Sequence, residues 1–166
     1  MHEIESWPVP QGALLEIYSE RGAYTDCYTT DLPGAISLEQ YVAAFYTTFV
    51  FKLERLILKW VVAKPSTDDD ARGLGAGTVD RFAAWRVEER TEYQILLCDF
   101  RGATRSWLMA EQHGANTRLY FGSAVVPSGR SAKGKPRLGF AYRALMGFHK
   151  LYSRVLLRAA ARRLTR

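Results

Sequence analysis

The sequence predicts an α+β domain in which helices frame an antiparallel meander of strands. Three observations point there. From Val79 to Val126 side-chain character alternates with a period of two, as half-buried strands require. From Ser37 to Ala63 apolar residues recur at helical spacing with no glycine or proline. From about Arg137 to Leu164 a broad apolar arc runs beside a basic stripe, which predicts a long amphipathic helix.

Each element has its own local cause. Residues 1–12 carry Pro8 and Pro10 and read as a flexible arm. ALLEIYS (13–19) and AYTDCYTTDL (23–32) are apolar or β-prone and predict a strand or a hairpin, stopped by Pro33 and Gly34. Ser37 followed by Gln40 is a capping-box pattern that opens a helix. Tyr41, Phe45, Leu53, Leu56, Ile57, Trp60 and Val61 continue it, while the β-branched and aromatic run YTTFVF (46–51) weakens it. Two helices, or one kinked helix, are expected there. In PSTDDDARGLGAG (65–77) Ser66 or Thr67 can cap a short helix whose first turn holds Asp68, Asp69 and Asp70. Strands are then expected at 80–88, 93–100, 104–112 and 117–126, with tight turns at Gly102 and Gly114. Residues 127–136 form a basic loop, and the last helix runs over 137–164.

A chain of 166 residues suits one domain with a real core. Hydrophobic residues at 48% and charged residues at 24% are ordinary for a globular chain. The net charge of +6 is unevenly spread. Residues 127–166 hold 11 of the 23 basic residues and no acid, leaving 12 against 17 acids in the first 126, a net of −5. The positive field therefore belongs to one segment. Cys27 and Cys98 lack paired spacing and read as buried thiols of a reducing compartment. The start has no apolar run of a signal peptide, and no stretch approaches about 20 apolar residues, so neither export nor a transmembrane segment is expected. The expected location is cytoplasmic.

Pairing the strands gives faces. A two-residue turn at Gly114 and Ala115 sets Glu111 opposite Arg118, Met109 opposite Tyr120, Leu108 opposite Phe121 and Trp107 opposite Gly122. A turn over Arg101, Gly102 and Ala103 sets Asp99 opposite Arg105, Leu97 opposite Trp107 and Leu96 opposite Leu108. One face then carries Ala83, Trp85, Val87, Leu96, Cys98, Ser106, Leu108, Ala110, Leu119, Phe121, Ser123 and Val125, without charge, and is expected to meet the helices. The other gathers Arg86, Glu88, Asp99, Arg105, Glu111 and Arg118 around Leu97, Trp107, Met109 and Tyr120. Its apolar part needs a cover, and a homodimer through this outer face is the expected one.

On the last helix Lys150, Arg154, Arg158 and Arg162 step by four into a basic stripe. Ala141, Ala144, Leu145, Phe148, Leu151, Tyr152, Val155, Leu156 and Ala159 form the arc expected to dock on the sheet. This element order resembles the START and birch-pollen-allergen superfamily, the SRPBCC or helix-grip fold. FKLERLILKW (51–60), DRFAAWRVEER (80–90), LLCDFRGATRSWL (96–108), RLYFGSAVVP (118–127) and FHKLYSRVLLR (148–158) also resemble an uncharacterised bacterial family within it. The resemblance spans about residues 24–160 and implies a curved antiparallel sheet, two N-terminal helices, a long C-terminal helix over the concave face, and a cavity between. The superfamily usually has six strands between its second and last long helices, and four are legible here.

A pocket between sheet and helix needs small or polar groups among large apolar ones. Trp85, Leu96, Cys98, Ser106, Leu108, Phe121 and Ser123 on the uncharged face, with Phe148 and Tyr152 from the helix, are the expected ligand-binding residues. The expected occupant is an apolar small molecule or a lipid, hydrophobic or amphipathic. A cyclase- or hydrolase-type enzyme using the same cavity is the alternative, and would need a titratable group inside it. Asp99 and Arg105 are more simply a cross-strand ion pair. His113 and His149 share no ligand motif with cysteine or carboxylate, and the aspartate run is explained by the helix N-terminus, so neither a metal nor a cofactor is expected. GLGAG follows no strand and is not a phosphate loop. Lys150, Arg154, Arg158 and Arg162 could meet an anionic membrane surface. Specific nucleic-acid recognition is not expected, because no aromatic residue interleaves the stripe.

Overall fold

Gly114 adopts a left-handed φ of 61° and, with Ala115, makes the two-residue turn that joins β6 (Thr104–His113) to β7 (Asn116–Val125). The expected register follows: Glu111 pairs with Arg118, Met109 with Tyr120, Leu108 with Phe121 and Trp107 with Gly122. The computed structural model describes residues 3–48, 67–126 and 140–165, with 140–149 given as helix backbone. In chain order the remaining elements are β1 (Glu5–Ser6), α1 (Glu16–Glu20), β2 (Tyr24–Pro33), α2 (Leu38–Tyr46), α3 (Asp68–Ala76), β3 (Arg81–Phe82), β4 (Trp85–Arg90), β5 (Gln94–Asp99) and α4 (Phe140–Leu164). The class is α+β, with one antiparallel sheet ordered β1-β2-β7-β6-β5-β4-β3.

The register between β5 and β6 departs from expectation. Cys98 pairs with Arg105, Leu97 with Ser106, Leu96 with Trp107 and Ile95 with Leu108. The turn is one residue longer than the sequence suggested. Asp99 closes it twice: its carbonyl accepts from Gly102 N at 3.0 Å and its Oδ1 from Ala103 N at 2.8 Å. A one-residue slip turns every side chain of β5 to the other face. Ile95 and Leu97 therefore join the helix side, and Leu96 and Cys98 leave it.

Two further expectations are corrected. Residues 80–88 are not one strand: Ala83 takes a φ of 52° and reverses the chain, so Phe82 pairs with Trp85 in a small hairpin. ALLEIYS is not a strand either. Its residues form α1, whose Tyr18 is buried, with Ala13 and Leu15 just before it. This segment lies on the outer sheet face. Ala13, Leu15 and Tyr18 bury Cys27, Leu96, Trp107, Met109, Tyr120 and Ala124. Gln94, itself buried, ties it down. Its Oε1 accepts from Leu14 N and from Trp107 Nε1, each at 2.9 Å, and its Nε2 donates to Gly12 O at 3.2 Å. The apolar patch for which a second subunit was expected is thus covered by the chain's own residues.

The helix side is built from the capped helices. Ser37 and Gln40 form the expected capping box on α2, and Thr67 with Asp70 forms another on α3. Gly75 lets the two helices touch: a Cβ there would stand 2.7 Å from Glu39 O. Arg90 donates to the carbonyls of Leu74 and Gly75 at the end of α3, and Arg163 from α4 donates to Thr47 O at the end of α2. Cationic donors at helix C-termini satisfy carbonyls that have no intrahelical partner. The core sets Tyr41, Phe45, Tyr46 and Leu74 against Leu32, Ile95, Leu97, Leu108, Leu119 and Phe121.

The helix α4 packs on α2 and β2 through Ser153, Leu156, Leu157, Ala160 and Ala161. That face is turned by more than a right angle from the expected arc. Leu151 is 63% exposed and Val155 38%, and both face outward. The small side chains of Ser153, Ala160 and Ala161 allow the closer approach. Residues 49–66 and 127–139, with the second part of the expected helix pair and the basic loop, lie outside the described residues.

Candidate functional site

Tyr24, Asp26 and Tyr28 alternate along β2 and share its helix-facing side. Tyr28 pairs with Phe121 on one edge and Ser6 on the other. Beyond Ser6 the chain turns away, and Trp7 N donates to Cys27 O at 2.9 Å. Past this corner runs α4. Its Arg154 donates from Nη2 to Ile4 O at 3.3 Å and sets its guanidinium 5.8 Å from the centre of the Tyr28 ring. An open cleft of about 540 Å³ results, lined by Ser6, Trp7, Tyr24, Thr25, Asp26, Cys27, Tyr28, Lys150, Leu151 and Arg154.

The chemistry of the cleft is uneven. Lys150 and Arg154, one helical turn apart, place two cations on its α4 wall. Trp7, Tyr24, Tyr28 and Leu151 supply apolar surface. Asp26 lines the same cleft with one oxygen engaged: its Oδ1 accepts from Ser123 Oγ at 2.5 Å and from Ser123 N at 3.2 Å. Burial, with Asp26 beside it, pushes the Cys27 thiol up to about 12, so it stays protonated and unreactive at neutral pH. Burial and then Asp26 also raise Tyr28, against the pull of Arg154. The arrangement can hold and orient an anion with an apolar body. Another hollow of about 480 Å³, beside Tyr93 and Leu38, has Glu92 and Glu111 as its charged lining among the described residues, and these repel an anion.

The expected site residues separate. Trp85, Ser106, Leu108, Phe121 and Ser123 do share the helix side, whereas Leu96 and Cys98, buried, face α1 across the sheet. Ser106 Oγ lies 3.3 Å from Tyr46 Oη, and the Phe121 ring 4.8 Å from that of Phe45. The helix α2 thus sits directly against this part of the sheet. Tyr152 is half-buried against the same core, and the Phe148 side chain lies outside the described residues. Lys150, Arg154, Arg158 and Arg162 are all exposed, as their stripe suggested. Trp7, Tyr24, Asp26 and Tyr28 were missed. The period-two spacing of the last three was visible, but nothing marked β2 as a wall.

Asp99 and Arg105 do not pair. The slipped register puts Asp99 on the helix side, where its carboxylate closes the turn, and Arg105 on the outer face. There Arg105 Nε bonds Glu88 Oε2 at 2.7 Å and donates to Tyr18 Oη at 2.8 Å, while Tyr18 donates to Glu88. Burial and then the Glu88 bond hold Tyr18 above its usual range. This triad clasps α1 to the sheet. His113 bonds Glu111 at 2.9 Å on the surface. Among the described residues no three His, Cys, Asp or Glu side chains form a group that could hold a metal ion, and no helix is long and apolar enough to cross a membrane. Searches of protein-family models, curated proteins and solved structures find no match to this chain.

Proposed function

We propose that the chain is a helix-grip binding protein that holds an amphipathic small molecule with an anionic head between the sheet and the C-terminal helix. One observation carries this: the cleft between β2 and α4 joins aromatic and aliphatic walls to Lys150 and Arg154. The cleft is open and its lining is more polar than apolar, which suits a ligand whose charged head is gripped while its apolar body rests on Tyr24, Tyr28 and Leu151. Support for the helix-grip reading comes from β2 lying beside β7 at the far end from β3, with α2 and α4 together on one side of the sheet. The occupied volume shifts from the sheet centre, where α2 packs, to the β1–β2 end.

Calorimetric titration with dodecanoate and with dodecyltrimethylammonium, each below its micelle concentration, tests this. The two share an apolar chain and differ in head charge. Dodecanoate is expected to bind, and Lys150→Glu to weaken it. Equal binding of the cationic amphiphile, or no binding of either, contradicts the proposal.

A further inference from the structure

The rotation of α4 gives its outward face a composition that the basic stripe alone does not have. Leu151 and Val155, one turn apart, stand 63% and 38% exposed. Arg158 shares that helical surface and Arg154 borders it on one side, while Lys150 stands further round toward the cleft. Trp7, 39% exposed, is not part of this patch: its ring stacks under Arg118, an outer-face residue of β7, at 5.3 Å. Leaving leucine and valine in water adds nothing to the fold, and exposed apolar groups set beside a row of one sign of charge mark an interaction surface.

We propose that the outward face of α4, through Leu151, Arg154, Val155 and Arg158, docks on the surface of an anionic lipid bilayer. Charge complementarity selects this occupant. Residues 127–166 carry 11 basic residues and no acid. A second copy meeting this face symmetrically would bring the basic row against itself. Nucleic acid would use the cations but has no use for Leu151 and Val155, which cannot stack on bases as aromatic rings do. An anionic bilayer uses both: headgroups meet the guanidinium and ammonium groups, and the aliphatic side chains enter the acyl boundary. Docked this way the cleft mouth, which shares Leu151 and Arg154 with the docking face, opens beside the lipid.

Docking can be tested apart from the cleft, because Val155 and Arg158 lie outside its lining. The test is sedimentation of the purified chain with vesicles of phosphatidylglycerol and phosphatidylcholine in roughly equal parts, beside pure phosphatidylcholine, across a salt series. The chain is expected to sediment with the anionic vesicles only. Arg158→Glu reverses one charge and is expected to lower partitioning at least fivefold or so. Val155→Ser is expected to remove the part of binding that survives high salt. Both side chains are exposed, and circular dichroism checks that the fold persists; Arg154 is left intact because it bonds Ile4. Sedimentation indifferent to both substitutions, or no sedimentation with anionic vesicles, overturns the proposal. So does tighter binding to duplex DNA or single-stranded RNA, or a dimer in ultracentrifugation that Val155→Ser dissolves. Loss of dodecanoate binding with vesicle binding kept would sink the ligand proposal alone.

Discussion

Replacing Gln94 by leucine removes the bracket between the N-terminal segment and the sheet. The indole N–H of Trp107, a residue with no exposure, loses its acceptor, which costs about 1–3 kcal/mol. The half-buried Leu14 N–H and the Gly12 carbonyl lose partners at roughly 1 kcal/mol each. Leucine returns about 1–2 kcal/mol through added apolar burial. The net expectation is a loss of about 1–4 kcal/mol, or roughly 2–16 °C in Tm for a chain of this size. A double-mutant cycle isolates the bond. Trp107→Phe deletes the donor and leaves a cavity whose cost is common to both backgrounds, so in the Gln94→Leu background it relieves the orphaned N–H. Urea unfolding of the four proteins should give a coupling of about 1–2 kcal/mol. Additive losses, or a Gln94→Leu protein as stable as the parent, would refute the role given to Gln94.

Gly122→Ala is expected to destabilise by about 1–3 kcal/mol, read as a lower urea midpoint. Its Cβ would lie 2.7 Å from Leu15 Cδ2 and 2.9 Å from both Trp107 Cε3 and the Asp26 carbonyl, the last of which cannot move aside. Cys27 and Cys98, 2% and 3% exposed, are expected to stay silent to Ellman's reagent until denaturant is added; fast reaction of the native protein contradicts their burial. Alkaline titration should show tyrosinate absorbance lagging and then rising together with unfolding. Burial raises Tyr18, Tyr41 and Tyr120, so the stability they lend is complete below the ordinary tyrosine value of about 10 and is lost as pH climbs toward their higher folded values. A smooth titration at ordinary pH with the fold intact would contradict this. The carboxyl of Asp31 is held low by its bonds to Arg118, whose Nε stands 2.7 Å away; burial opposes this. Its contribution is present above about pH 4 and lost as pH falls through the lowered value. The pair is partly exposed, so Asp31→Asn should change neutral-pH stability by less than about 1 kcal/mol and flatten the acid limb of the stability profile.

Much of the sheet was legible because strand alternation and turn chemistry agree locally. Gly114 demanded a left-handed turn, Glu111 met Arg118, and Trp107 found a glycine opposite. The β5–β6 register was not legible, because Asp99 lengthens the turn through bonds to Gly102 and Ala103 that no glycine count reveals. Ala83 breaks 80–88 by a left-handed φ that alanine rarely adopts. The short α1 reads as β-prone because five residues are too few to show a helical period. The orientation of α4 was hidden by its composition. Apolar side chains run most of the way round it, and large ones were taken as buried, whereas Ser153, Ala160 and Ala161 permit the close contact. The basic stripe was legible as spacing. The cleft was not, since it joins residues 6–7, 24–28 and 150–154, distant segments brought together only by the pairing of β1 with β2 and the passage of α4.

Native mass spectrometry of the gently purified chain, followed by denaturing extraction, addresses the cleft most directly. An adduct that extracts as an acidic amphiphile, and that falls away in a Lys150→Glu protein of unchanged fold, is the expected result. A chain that flies empty and takes up no dodecanoate, or an adduct indifferent to Lys150, would contradict a ligand held between β2 and α4.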